Sequence, residues 1–175
     1  MDIIRSGRKN MRHEAITWSD VDQLVDHLLP QFQGEFQAMV MITTGGIIPG
    51  GLLATAMNLN HVLTAAVDFP AQMKIDSSRL IPWPQFLQFP DDSLLRDRRT
   101  LVVDDVWGSG RTITAVKNRV VVAGGVPVTC VLHFNPTRSL FGSVRPDYFA
   151  AITDAYIVYP WEINRDKDIV AGRDF

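Results

Sequence analysis

Leu101-Val102-Val103-Asp104-Asp105-Val106-Trp107-Gly108-Ser109-Gly110-Arg111-Thr112 is the stretch whose reading decides the fold. Three apolar residues suit a strand buried on both faces, and two carboxylates follow them directly. Gly108 and Gly110 then let the backbone curl so that successive N–H groups point inward, a nest suited to an anion. Ser109 and Thr112 add hydroxyl donors, and a helix starting near Thr112 would bring its positive end to the same point. Ligands of open α/β sheets gather at the carboxyl ends of strands, where these acids are expected. Carboxylates for ribose hydroxyls beside a nest for phosphate suit a sugar phosphate.

Three competing motifs fail on spacing. A Walker A loop needs G-x-x-x-x-G-K-[ST], and neither GGIIPGGL nor GSGRT supplies the lysine. A dinucleotide fingerprint needs a third glycine where Ile113 stands. A phospho-receiver domain carries its acidic pair after the first strand, whereas this pair lies past mid-chain.

Working outward, the spacing of Val21, Leu24, Val25, Leu28 and Leu29 predicts a helix opened by Ser19 and Asp20 and stopped near Pro30. AMVMIT at 38–43 reads as a buried strand. TTGGIIPGG turns from it into a helix over LLATAMNL, with Pro49 near its first turn. Further strands are expected at 62–67, 100–104, 126–134 and 155–159, with a helix over 112–123 ended by Gly124 and Gly125. Strands alternating with helices argue for βαβ units. The fold class is therefore α/β, a Rossmann-like, mainly parallel sheet of about five strands flanked by helices. Residues 68–99 are too long for a routine connection and are read as a lid or small subdomain.

Bulk composition bounds the function. A chain of 175 residues with 46% hydrophobic and 21% charged residues suits one globular domain. The net charge of −2 gives no reason to expect general affinity for nucleic acid, and no apolar run reaches the length of a membrane span. The N-terminus lacks the apolar core of a secretory signal, and the lone Cys130 suits a reduced, cytoplasmic setting as a small core residue. Residues 1–15, with Arg5, Arg8, Lys9 and Arg12, read as a flexible basic arm, and 16–175 as the domain.

The 101–112 stretch resembles the phosphoribosyl pyrophosphate (PRPP) signature of type I phosphoribosyltransferases: apolar residues, two acids, then Thr/Ser-Gly-x-Thr/Ser. GGIIPGGLLA at 45–54 is similar to the pyrophosphate loop of purine-type members. VLHFNP at 131–136, PDYF at 146–149 and TDAYIVYPWE at 153–162 resemble the C-terminal part of xanthine/hypoxanthine/guanine-type members. ITWSDV at 16–21 is similar to their opening helix. The likeness implies the type I fold, with a small C-terminal hood over 135–165.

It also implies an activity, transfer of the phosphoribosyl group from PRPP to a purine base with release of pyrophosphate, as in purine salvage. Asp104 and Asp105 would act as catalytic residues holding the ribose hydroxyls. The run Val106, Trp107, Gly108, Ser109, Gly110, Arg111 and Thr112 would complete the PRPP site, with the 5′-phosphate on the loop. Thr44, Gly45 and Gly46 would meet the pyrophosphate. Asn135, Tyr156 and Ile157 would meet the base. Magnesium (Mg2+), held largely by substrate oxygens, would lie near Asp104, Asp105 and Glu162. Within the 68–99 stretch, Lys74 and Arg79 are candidate pyrophosphate contacts, with solvated surface charge as the other reading, and a homodimer is expected by analogy.

The chain departs from the pattern at three places. Many purine-type relatives carry Asp where Gly108 stands, a cation where Thr44 stands, and Lys where Asn135 stands. These departures keep open a second function, a non-catalytic regulator that senses PRPP or nucleotides and binds RNA or DNA. A degenerate scaffold is the third reading, opposed by the intact acid pair and phosphate loop.

Overall fold

The computed structural model describes residues 12–69 and 83–162. Its elements run β1 His13–Ala15, α1 Trp18–Leu28, β2 Ala38–Ile42, α2 Ile47–Ala56, β3 Val62–Asp68, β4 Gln85–Gln88, β5 Arg99–Trp107, α3 Arg111–Val122, β6 Val126–Phe134, β7 Tyr148–Ile152 and β8 Tyr156–Val158. The main sheet has the order β4-β3-β2-β5-β6-β7. All its pairs are parallel except β3 with β4.

Strand alternation divides the core between the two faces of this sheet. Met39, Leu101, Val103, Cys130 and Leu132 pack under α1 and α2, with Val21, Val25, Leu28 and Leu53. Val40, Ile42, Val102, Val131 and Phe134 pack under α3, with Ile113, Val116 and Val120. Helix α1 thus buries the stripe that its three- and four-residue spacing anticipates, at roughly 1.5–3 kcal/mol per large aliphatic side chain. Thr17, rather than Ser19, caps α1: its side chain accepts from the Asp20 N–H while Asp20 accepts from the Thr17 N–H.

From β2 the chain crosses by α2 to β3 on one side. From β5 it crosses by α3 to β6 on the other. The order therefore reverses between β2 and β5, and the loops after these two strands face each other across the crevice where such sheets bind ligands.

The mainly parallel α/β sheet agrees with the sequence, and four local readings change. The sheet has six strands rather than about five, because Gln85–Gln88 and Tyr148–Ile152 join its two edges. Edge strands this short, with few buried residues, carry little periodic signal. Tyr156–Val158, expected in the main sheet, instead pairs in parallel with His13–Ala15, which the sequence assigns to the flexible arm. Arg12 joins this contact through an ion pair with Asp154 at 2.8 Å. Part of the expected lid at 68–99 is the edge strand β4, while Lys74 and Arg79 lie outside the described residues, as do Arg5, Arg8 and Lys9. β5 runs past residue 104 to Trp107, so the acids lie within a strand. They lie beyond the part that β2 covers, since the β2 pairing ends at Val103 and only β6 continues beside them.

Candidate active site

Because successive strand residues face opposite sides, Asp104 and Asp105 diverge from one backbone. Asp105 points to the α1/α2 face and is only 8% exposed. Asp104 is half-buried, and its Oδ1 accepts from the Asp105 N–H at 3.0 Å. Desolvation and the neighbouring Asp105 charge push the Asp104 carboxyl well above the usual carboxylate range. Asp105 is pushed up to about 6 by burial and then by the Glu162 charge, against the Val106 backbone N–H and the Trp161 indole, which favour its ionised form. Acids held in this state gain from hydroxyl donors or a cation brought by a ligand.

The loop after β2 closes on these acids. The Thr43–Thr44 peptide is cis, Thr44 is exposed, and Gly45 and Gly46 lead into α2. A Cβ on Gly45 would lie 2.6 Å from the Asp105 carboxyl, and one on Gly46 would lie 2.2 Å from the Val103 carbonyl oxygen. The sequence assigns these glycines to pyrophosphate contact. The structure adds a reason from inside the protein, since a side chain on Gly45 would collide with the Asp105 carboxyl and one on Gly46 with the backbone of β2 and β5. No side chain caps the N-terminus of α2, so its positive end remains open to an anion.

The second loop is folded over Trp107. Gly110 has φ of +80°, and a Cβ there would meet the Trp107 indole at 2.4 Å. Trp107 is a buried pillar, edge-on to Phe134 and donating from its indole N–H to Ser139 Oγ at 3.2 Å. Its side chain supports the anion loop from below. The Arg111 guanidinium lies over the Phe69 ring at 4.2 Å, and the Arg111 N–H donates to Ser109 Oγ at 3.3 Å. Gly108 differs from the other loop glycines, because a Cβ there would meet nothing within 4 Å.

A cleft beside this loop is lined by Val106, Gly108, Asn135, Arg138, Tyr156, Ile157 and Glu162, among others. The structure thus brings the three sequence-assigned base residues together beside the 108–112 loop. They differ in what they have to offer. Tyr156 is 39% exposed and leans on His13, with ring centroids 5.1 Å apart. Ile157 buries its side chain in the core. Tyr156 N–H donates to the Arg12 carbonyl and Val158 carbonyl accepts from Ile16 N–H. By strand alternation, Ile157 turns its own N–H and C=O away from β1. Asn135 is largely committed to the hood: Oδ1 accepts from Thr137 N–H at 3.2 Å and from Thr137 Oγ1 at 2.7 Å, while Nδ2 donates to the Ala155 carbonyl at 3.2 Å. One amide N–H remains, so the choice between donor and acceptor that an amide offers is already made.

Among the described residues no three acidic, histidine or cysteine side chains form a metal-holding group. Asp104, Asp105 and Glu162 are therefore not a protein-built metal centre. Their donors are oxygens only, in mutually repelled carboxylates, which suits a hard cation sharing the oxygens of a bound substrate. Cys130 is buried and burial raises its thiol, as a core residue requires. His133 is buried and held below its ordinary value by desolvation.

Two residues escaped the sequence reading. Arg138 lies in a polar turn, where an arginine is usually a solvated charge, yet it lines the cleft. Tyr159 is 1% exposed, and its hydroxyl donates to the Asp105 carbonyl at 2.9 Å. Only the PWE context that follows it gave any signal there.

At the level of sequence, no family model and no curated relative matches the chain. Solved structures do. The purine phosphoribosyltransferase of Pyrococcus horikoshii Ot3 is 25% identical with a TM-score of 0.72, over 86% of this chain and 94% of its own. A hypothetical protein from Neisseria gonorrhoeae with bound ppGpp reaches a TM-score of 0.75 at 19% identity, over 93% of this chain and 96% of its own. The xanthine-guanine-hypoxanthine phosphoribosyltransferase of Helicobacter pylori has a TM-score of 0.70 at 17% identity, over 91% of this chain and 99% of its own. With this sheet order, these two facing loops and these structural neighbours, the chain has the type I phosphoribosyltransferase fold and is similar to purine phosphoribosyltransferases.

Proposed function

We propose that the chain transfers the 5-phosphoribosyl group of PRPP to a purine base, giving a nucleoside monophosphate and pyrophosphate. The observation that carries this reading is the meeting of two loops at the strand-order reversal. The acids of β5 and the nest at 108–112 lie on one side, and the Thr44–Gly46 turn with the open α2 N-terminus lies on the other. Asp104 and Asp105 would take the ribose hydroxyls, residues 108–112 the 5′-phosphate, and Thr44–Gly46 the pyrophosphate. Asp105 and Glu162 would hold magnesium together with substrate oxygens, and the bound ion would neutralise the leaving group.

Departure of pyrophosphate leaves a sugar with cationic character at C1′. Fixed negative charge and exclusion of water stabilise it better than a strong nucleophile would. Tyr156 would stack on the base, and the Ile157 N–H and C=O would read its edge. A homodimer, a cytoplasmic place and a part in purine salvage belong to the same proposal.

The second reading, a nucleotide-sensing regulator, draws on Gly108. That position places no acid over the cleft, and the Neisseria gonorrhoeae neighbour carries ppGpp. One experiment separates the two: protein, magnesium, PRPP and each nucleobase in turn, with pyrophosphate release followed over time. Turnover with a purine supports the transferase. Tight binding of PRPP or ppGpp without turnover of any base supports the sensor and ends the transferase reading.

A further inference from the structure

We infer that Tyr159, held by His133, is a positioning residue that locks the hood onto the sugar-binding acids. The inference rests on the reading of Asp104 and Asp105 as the groups that take the ribose. Tyr159 lies directly after β8, in the hood, yet its hydroxyl reaches into the main sheet and donates to the Asp105 carbonyl at 2.9 Å. A phenol has one proton, and the carbonyl can only accept. The contact between His133 Nδ1 and the Tyr159 oxygen, at 2.8 Å, must therefore be an Nδ1–H donating to that oxygen. This fixes the imidazole tautomer and the direction of the chain His133 to Tyr159 to Asp105.

Every group in this chain is buried, so nothing in solvent substitutes when a link is removed. Tyr159 also serves the third acid. Its N–H donates to Glu162 Oε2 at 3.0 Å, and its carbonyl accepts the Glu162 N–H at 3.0 Å. The ring stacks on Trp161 at 4.6 Å with planes 9° apart. One buried side chain therefore joins the segment that lines the base cleft to the peptide that carries a sugar-binding acid.

The test is Tyr159→Phe, which keeps the ring and its stack and deletes only the hydroxyl. Losing a buried hydrogen bond of this kind is expected to raise KM for PRPP about tenfold. KM for the base should stay unchanged. His133→Leu should repeat the defect, and His133→Asn, whose amide N–H can stand near Nδ1, should restore most of it. Equal rises in both KM values, or a wild-type KM for PRPP, would overturn the inference. A crystal structure of Tyr159→Phe without substrate gives a readout independent of turnover. The Asp105 carbonyl should shift by more than about 0.5 Å, the tolerance of a preorganised site, and an unmoved carbonyl refutes the positioning role. If the unaltered protein neither binds nor turns over PRPP, the proposed function fails, while that crystallographic comparison still decides the lock.

Discussion

The proposed sugar-phosphate half of the cleft and its proposed base half are built by different means. Asp104 to Thr112 occupy one unbroken run of strand, loop and helix, so every group arrives by local geometry. The base half is assembled from separate segments: Asn135 and Arg138 after β6, Tyr156 and Ile157 on β8, and Glu162 beyond it, braced by β1. The first half therefore carries a pattern that spacing rules can find. The second exists only once distant segments have packed, and links such as Tyr159 to Asp105 tie it to the first.

The sharpest way to break this contrast is to remove the charges of the continuous half. Asp104→Asn with Asp105→Asn should cost about 10²–10³ in kcat/KM and abolish measurable PRPP binding by calorimetry, with the fold kept. Unchanged PRPP affinity would refute the role of the acids.

The same half should leave a mark on stability. The folded Asp105 carboxyl titrates at about 6, above the value of about 4 for an unfolded chain. Between these values the folded state binds more protons than the unfolded one, so stability falls as pH rises from about 4 to about 6. Two pH units correspond to about 3 kcal/mol at most. Urea unfolding across this range should show the fall, and Asp105→Asn should flatten it. Asp104 shifts in the same direction and should contribute the remainder of any slope.

A change at the ring proposed to stack on the base should act on the base alone. Tyr156→Ala, at a half-exposed ring, should raise KM for the base by about tenfold or more, the worth of one base–aromatic stack. Its melting temperature and its KM for PRPP should barely move. A matching rise in KM for PRPP would show that the two halves are not separable at Tyr156.

The smallest structural effect is expected at Gly108. Its Cβ position is open and its φ lies outside the left-handed region, so Gly108→Asp should change stability by about 0.5 kcal/mol or less. A carboxylate there would stand over the base cleft and could accept the proton that a purine loses on ribosylation. A rise in kcat with stability preserved would locate the chemical cost of glycine at this place. No change would mean that proton removal is carried elsewhere or does not limit the rate.

By itself the amino-acid sequence determined the parallel α/β architecture, the helix stripes and the acid-plus-nest stretch. Each rests on periodicity or on adjacency along the chain, which survive in one dimension. It misjudged Tyr156–Val158 and His13–Ala15, whose pairing joins opposite ends of the described chain and leaves no local trace. Only the tertiary structure decided that Gly45 and Gly46 must be small against Asp105 and Val103, while Gly108 need not be. Only packing committed the amide of Asn135 to Thr137 and Ala155, and only packing made Tyr159 the link between hood and acids. A hydrogen bond between residues far apart in sequence becomes favourable only after the core excludes water, so no spacing rule announces it.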